Sequence, residues 1–583
     1  MLSIINFYKN LTMNKCTFQV VILLITSPIF AQNPSQDLDT IITTYQDHNG
    51  YDRDMYPLGL YTEEYYKQET EFAKSLINDL SKIEKNKLSE TEQISLELLK
   101  FKLNETIDRF EFKAYLNPLL SDSGFHLSLS YQVRDLNNYK QVKAYLNKLN
   151  AIPTYVDQHF ELLRKGLKES ITQPKVIFEG YASTYDSQIV SSAEESFFFE
   201  PFENLPSSLS PSQKDSVINA AKKAIETNVI PQFKRIKSFF ETEYLPNTKT
   251  ELGVSNGPQG ETYFQNRLNY YTTLNLSAEE IHNIGLKEVE RIYAEMKSIV
   301  EEVEFDGTLD EFITFLRTDE QFYAKTEDEL LKEARDIAKR IDAKLPAYFK
   351  TLPRKPYGVA KVPDAIAPKY TTGRYIGPSD ETQPGYYWVN TYNLPNRPLY
   401  VLPSLTAHEA VPGHHLQNAL NAELGDSIPR FRKSTYLSAY GEGWGLYSEF
   451  LAEEMGIYTT PYERFGKLTY EQWRACRLVI DTGIHAMGWT REQAVEYFTK
   501  HTALSLHNIN TEVDRYISWP GQAVSYKIGE IKIRALRRKA ETTLGEKFDI
   551  RDFHEVVLEQ GVVTLPILEQ RINRYIEKTL DNH

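Results

Sequence analysis

Residues 407–417 read AHEAVPGHHLQ, which puts three imidazoles and a carboxylate, His408, Glu409, His414 and His415, within eight positions. Neutral imidazoles and carboxylates are the natural ligands of a catalytic zinc, which takes three protein ligands and keeps one position for water. A His-Glu pair on a helix, followed one turn later by a second His, sets both imidazoles on one face with the Glu beside that water. Here the fourth residue after His408 is Pro412, so the simple spacing fails. In an unbroken helix His415 would share the face of His408 but lie about 10 Å further along, at about 1.5 Å per residue. Zinc–nitrogen bonds of about 2.0–2.1 Å cannot span that gap. Pro412 removes a backbone donor and its ring clashes with the preceding turn, while Gly413 tolerates the dihedrals of a bend. The sequence therefore predicts a bulged or terminated helix at 411–413 that folds His414 back toward His408, with His415 as the alternative ligand.

A third ligand must come from another element, and YGEGWGLYSEFLAEEMG (440–456) offers Glu442 and Glu449. Gly441, Gly443 and Gly445 remove bulk around Glu442 although each costs a helix about 0.8–1.0 kcal/mol relative to Ala, which points to close packing beside the His408 backbone. Glu409, one residue after a ligand, can aim its carboxylate at the open metal position and serve as base for the attacking water. For a donor to the developing oxyanion, Tyr526 in GQAVSYKIGE and His485 in DTGIHAMGW are the candidates, against the simpler readings of a core tyrosine and a helix cap. Arg477 and Asp481, four apart, read as a helix-surface pair in which Asp481 could also orient a ligand. Arg515 and Lys527 are candidates for a substrate carboxylate.

The stretches HEAVPGHHLQ, YGEGWGLYSE, DTGIHAMGWT and RYISWPGQAVSYKIG together resemble the bacterial family known as domain of unknown function 885, grouped with the thermolysin-like gluzincin metallopeptidases. The likeness runs from roughly 240 to 575 and more weakly over the N-terminal half. It implies a mostly helical hydrolase in which His408, His414 and Glu442 hold one zinc ion and Glu409 acts on the water. The two residues inserted before His414 depart from the usual two-histidine spacing. By the same resemblance, the strand-like GYYWVNTYN (385–393) would be an edge strand that pairs with extended peptide, with Tyr386, Trp388 and Asn390 on one face.

The elements that must position these groups are mostly helical. Helical periodicity runs through 60–175, with Ser89 and Glu92 as a capping box, and a long amphipathic helix follows the Ser277/Glu280 box. A turn-rich aromatic stretch occupies 176–215, Pro, Gly and Asn cluster at 245–260, and the clear strand signals are 356–362 and 385–393. The fold class expected is mainly α with a small β-sheet beside the metal-binding helix. The division expected is a signal peptide at 1–31, an N-terminal helical cover at 32–245 and a catalytic domain at 246–583.

With 583 residues, 41% hydrophobic and 25% charged, the composition is that of a folded soluble protein. Lys15 precedes the apolar run FQVVILLI (18–25), and small Ala31 offers a cleavage point, which is the pattern of a secretory signal peptide starting at Met1 or Met13. The run is too short to span a membrane, so an exported, periplasmic or secreted protein without stable membrane insertion is expected. Loss of 1–31 removes Lys9 and Lys15 and no acid, taking the net charge from −14 to −16, which disfavours nucleic-acid binding through a global field. The two cysteines are Cys16 and Cys476, so a mature chain has no internal disulfide and no cysteine-ligated zinc. The expected function is a zinc metallopeptidase acting on short peptides. A zinc-dependent amidase or esterase on another acyl group, or a non-catalytic metal- or peptide-binding protein, are the alternatives.

Overall fold

The computed structural model describes residues 33–581 apart from 365–366, 368–369 and 379–381; the expected signal peptide lies outside the described residues. The fold is mainly helical with one small mixed sheet. In the N-terminal half, helices α1 (Glu90–Glu111) and α2 (Tyr139–Lys168) are the longest. The Ser89 hydroxyl accepts from Glu92 N–H and the Glu92 carboxylate returns to Ser89, which closes the capping box and satisfies two otherwise orphan donors. Residues 176–210 make short helical turns, and a longer helix resumes at Pro211–Ala224.

The second half begins with α3 (Ala278–Glu302), capped by the Ser277/Glu280 box. The sheet follows: β1 (Tyr357–Lys361), β2 (Gly373–Ile376) and β3 (Gly385–Val389), in the order β1-β3-β2. β3 pairs in parallel with β1 and antiparallel with β2, Tyr387 lying opposite both Val359 and Tyr375. Its alternation is the expected one, with Tyr387 and Val389 buried and Tyr386 and Trp388 half-buried. One expectation is corrected here. β3 is the central strand, so both of its backbone edges are used and it cannot take an extended peptide; the edge strands are β1 and β2, the latter a four-residue segment that periodicity did not reveal.

Six of the helices in this half surround the site: α4 (Leu402–Glu409), α5 (His414–Ala422), α6 (Ser438–Glu454), α7 (Pro461–Ala486), α8 (Leu506–Ser518) and α9 (Ser525–Leu544). α7 is buried almost all round from Phe465 to His485, as befits a helix enclosed by neighbours. α3 packs along α7, and α6 crosses α9 where Gly443 meets Gly529 backbone to backbone: a Cβ on Gly443 would sit 2.6 Å from Gly529 Cα. One apolar cluster runs through the described residues from Leu38 to Ile576, so the two halves share a core. No helix among the described residues is long and apolar enough to cross a membrane.

Candidate metal centre

The break after His408 is the first thing the site needs. α4 ends at Glu409, the chain turns through Ala410–Gly413 with a cis Val411–Pro412 bond, and α5 starts at His414. Gly413 N–H donates to Ala407 O (3.0 Å), His415 N–H to Ala410 O (3.0 Å), and the Trp444 indole of α6 donates to Pro412 O (2.8 Å). The turn is so tight that a Cβ at position 413 would lie 1.9 Å from His408 O, so only glycine fits.

This turn brings His408 and His414 together, ring centroids 4.7 Å apart and planes perpendicular, against Glu442 of α6. His408 Nε2 and His414 Nε2 each lie 3.5 Å from Glu442 Oε2. Two ligand atoms on a tetrahedral zinc with bonds of about 2.0–2.1 Å are separated by about 3.3–3.4 Å, so the spacing suits one shared ion. The donor atoms of His408, His414 and Glu442 all fall within 4.8 Å of one another, and this group could hold a metal. His408 is nearly enclosed, whereas His414 and Glu442 keep 12% and 15% of their side-chain surface open, enough for access from one side.

Glu449, the other acid offered by α6, is placed differently. Its Oε1 accepts from His408 Nδ1 (2.8 Å), its Oε2 from Ser404 Oγ (2.6 Å), and the Arg474 guanidinium is 3.7 Å away. That bond fixes the His408 tautomer and turns Nε2 toward Glu442, the outer-carboxylate arrangement that orients metal-binding histidines. Residues 442, 445 and 449 share one helical face, and the imidazole lies lengthwise along it over Gly445, where a Cβ would come within 2.6 Å of the ring. The three glycines of GEGWG thus have separate uses: Gly445 makes room for the His408 ring, Gly443 for α9, and Gly441 for the Tyr436 ring.

Charge follows from this packing. Burial would lower the His408 pKa, but the Glu442 and Glu449 carboxylates outweigh it and push the metal-free imidazole up to about 10. Burial would raise Glu442, yet the two imidazoles hold it well below the usual carboxylate range. Tyr436 donates its hydroxyl to Glu442 Oε1 (2.8 Å); enclosure of that hydroxyl and the neighbouring carboxylate raise the phenol well above its ordinary value. Glu409 is held by β2: its Oε2 accepts from the outward N–H of Tyr375 (2.8 Å).

Other expected residues fare unequally. His415 turns away from His408, between the Tyr357 and Tyr375 rings, where burial lowers its pKa to about 4. His485 is not brought to the site. Its Nε2 meets Tyr516 O (2.9 Å) and its Nδ1 accepts from Val254 N–H (3.3 Å), so both ring nitrogens are spent on backbone, and it sits about 16 Å along α7 from Arg474. Tyr526 is half-buried within electrostatic reach of Tyr436. Arg477 and Asp481 form no pair: Arg477 turns to Tyr516 and Glu512, and Asp481 accepts from Gly521 N–H (3.1 Å). Lys527 is fully buried between Glu288, Glu471 and Glu530, at 3.1, 2.7 and 2.9 Å, so it is unavailable to a substrate. Residue types alone did not reveal Tyr436, Tyr375 N–H or the role of Glu449, although the seven-residue spacing from Glu442 to Glu449 marks a shared face.

Comparison with known proteins agrees with this picture of the fold. Among solved structures, a "putative lipoprotein" from Colwellia psychrerythraea superposes with a TM-score of 0.84 at 28% identity, covering 94% of this chain and 97% of that one. A "putative lipoprotein of unknown function" from Shewanella oneidensis superposes with a TM-score of 0.68 at 18% identity over 93% of this chain and 99% of that one, which speaks to the fold alone. No curated protein matches the chain. The model of one family, described as bacterial protein of unknown function (DUF885), matches residues 44–572, and the chain belongs to that family.

Proposed function

We propose that this protein is a zinc-dependent hydrolase of the gluzincin type that cleaves short peptides or small amides. The observation that carries the reading is the convergence of His408, His414 and Glu442 at zinc-ligand spacing, with Glu449 behind His408 and Glu409 next to it in the chain. Zinc bound there supplies a Lewis acid for the substrate carbonyl and a water of lowered pKa. Glu409 takes the proton from the attacking water at its carboxylate and returns it to the leaving amine. The Tyr375 N–H holds that carboxylate at edge strand β2, and Tyr526 would donate to the developing oxyanion. Tyr436 and Glu449 fix the orientation of Glu442 and His408.

Export belongs to the same proposal, supported by the apolar run 18–25 with Ala31 after it and by the lipoprotein description of the Colwellia structure. So does a cover formed by residues 32–245, whose exposed Tyr131 comes within electrostatic reach of Tyr370 beside β2. The test is elemental analysis with hydrolysis of a peptide library. About one zinc per chain in wild type and in Glu409→Gln, with cleavage only in wild type, is the expected result. Metal-free wild-type protein that cannot be loaded, or full activity in Glu409→Gln, refutes the reading.

A further inference from the structure

Beyond the metal ligands, the described residues gather more guanidinium groups on one wall of the site than carboxylates to match them. Arg477 is 4% exposed; its Nε donates to Tyr516 Oη (3.0 Å) and its Nη2 to Glu512 (3.1 Å), while its Nη1 is buried without a partner. Arg515 shares Glu512 (3.5 Å) and donates to Gln522 (2.8 Å). Arg474, one turn before Arg477, is within electrostatic reach of Glu512 and has its Nε buried without a partner among the described residues. Arg477 and Arg515 therefore share one carboxylate, and Arg474 beside them contacts Glu449. An unsatisfied buried donor on a charged group is costly, and an anion brought to this wall removes that cost.

Arg474 ties this wall to the metal centre, 3.7 Å from the Glu449 carboxylate that holds His408. The Arg477 guanidinium lies over the Tyr526 ring, 4.3 Å from its centroid, and Tyr526 is within electrostatic reach of Tyr436, which is hydrogen-bonded to Glu442. From the other side Arg374 of β2 comes within electrostatic reach of both Tyr526 and Glu409. Arg374 is exposed, lies within hydrogen-bonding range of the Tyr370 hydroxyl and, among the described residues, forms no ion pair; the next residue along β2 supplies the Tyr375 N–H that holds Glu409. Guanidinium groups are matched in shape to carboxylates, which they bind with two parallel hydrogen bonds.

We propose that Arg374, Tyr526 and the Arg477–Arg515 pair form a subsite for a carboxylate of the substrate, so that preferred substrates are short peptides or acylated amino acids with a free carboxylate close to the bond that is cut. This deepens the hydrolase reading and rests on it for the word substrate; the binding site itself does not require turnover. The carboxylate comes either from a chain terminus or from an acidic side chain.

The experiment is calorimetric titration of zinc-loaded Glu409→Gln protein, which holds ligand without turnover, with three probes: an N-acetylated dipeptide of neutral residues, its C-terminal amide, and the same amide with Glu as the last residue. The free acid is expected to bind at least tenfold more tightly than the neutral amide if the terminus is read, and the Glu-containing amide if a side chain is read. Adding Arg374→Gln, an exposed change checked for fold by circular dichroism, is expected to bring the preferred acid to within about twofold of the neutral amide and leave that amide unchanged. Equal binding of all three probes, no binding of any, or an acid preference that survives Arg374→Gln overturns the proposal. Wild-type protein that prefers the acid yet cleaves nothing overturns the hydrolase reading and leaves the subsite standing.

Discussion

Glu449 provides the sharpest test of how the site is held. Its carboxylate is 4% exposed and bonds His408 Nδ1 and Ser404 Oγ at 2.8 and 2.6 Å. In Glu449→Gln the amide oxygen can still accept from His408 Nδ1–H, so the ring keeps its orientation but loses the negative charge that strengthens Nε2 as a donor. Changes of this kind cost about 10–100-fold in metal affinity. We expect the Gln variant near tenfold and Glu449→Ala, which frees the ring and strands Ser404 and Arg474, near a hundredfold. At about 1.4 kcal/mol per tenfold, zinc at a fixed free concentration would then stabilise the folded protein by about 1.4 and about 2.8 kcal/mol less than in wild type. Competition with a chromogenic chelator reads the affinity, and urea unfolding with and without zinc reads the stability. A folded Glu449→Gln protein that binds zinc as tightly as wild type would refute the argument that this carboxylate tunes His408.

Three other outcomes follow from the same geometry. Gly445→Ala should gain about 0.8–1.0 kcal/mol of helix propensity yet lose zinc, because its Cβ would stand 2.6 Å from the His408 ring; unchanged metal content by elemental analysis contradicts the close approach. Metal-free His408, raised to about 10, carries a proton on each ring nitrogen at pH 7.5, and ligation must expel the one on Nε2. Zinc binding should therefore release about one proton below pH 10 and progressively less above it, visible as a binding enthalpy that depends on the buffer; independence of buffer at pH 7.5 contradicts the charge state. Lys527→Met leaves Glu288, Glu471 and Glu530 without their shared cation and should cost about 3–5 kcal/mol in urea unfolding, with zinc content of the folded protein unchanged.

Much of the scaffold is legible in the sequence where the signal is local. The capping boxes at Ser89 and Ser277 form as their spacing requires, and the alternation in 385–389 is that of a strand with one buried face. β2 escaped notice because four residues starting at Gly373 carry no period of their own; pairing with β3 makes them a strand. Arg477 and Asp481 have the right spacing for a pair, but the aromatic and acidic groups of α8 capture the arginine first. His485 has the chemistry of a donor, and only its position beneath the 254 and 516 backbone shows that it is structural.

The sequence by itself determined that a helix must break between His408 and His414, because Pro412 can neither donate nor fit in the turn and Gly413 can bend, and that carboxylates on a glycine-rich helix were available to meet the imidazoles. The tertiary structure decided which imidazole turns inward and which acid faces which nitrogen. His414 and His415 differ by one position, and Glu442 and Glu449 by two turns of one face. Only the clip from Trp444 to Pro412 and the seating of the His408 ring on Gly445 tell them apart, since these contacts join segments about 30 residues apart and no local pattern encodes them.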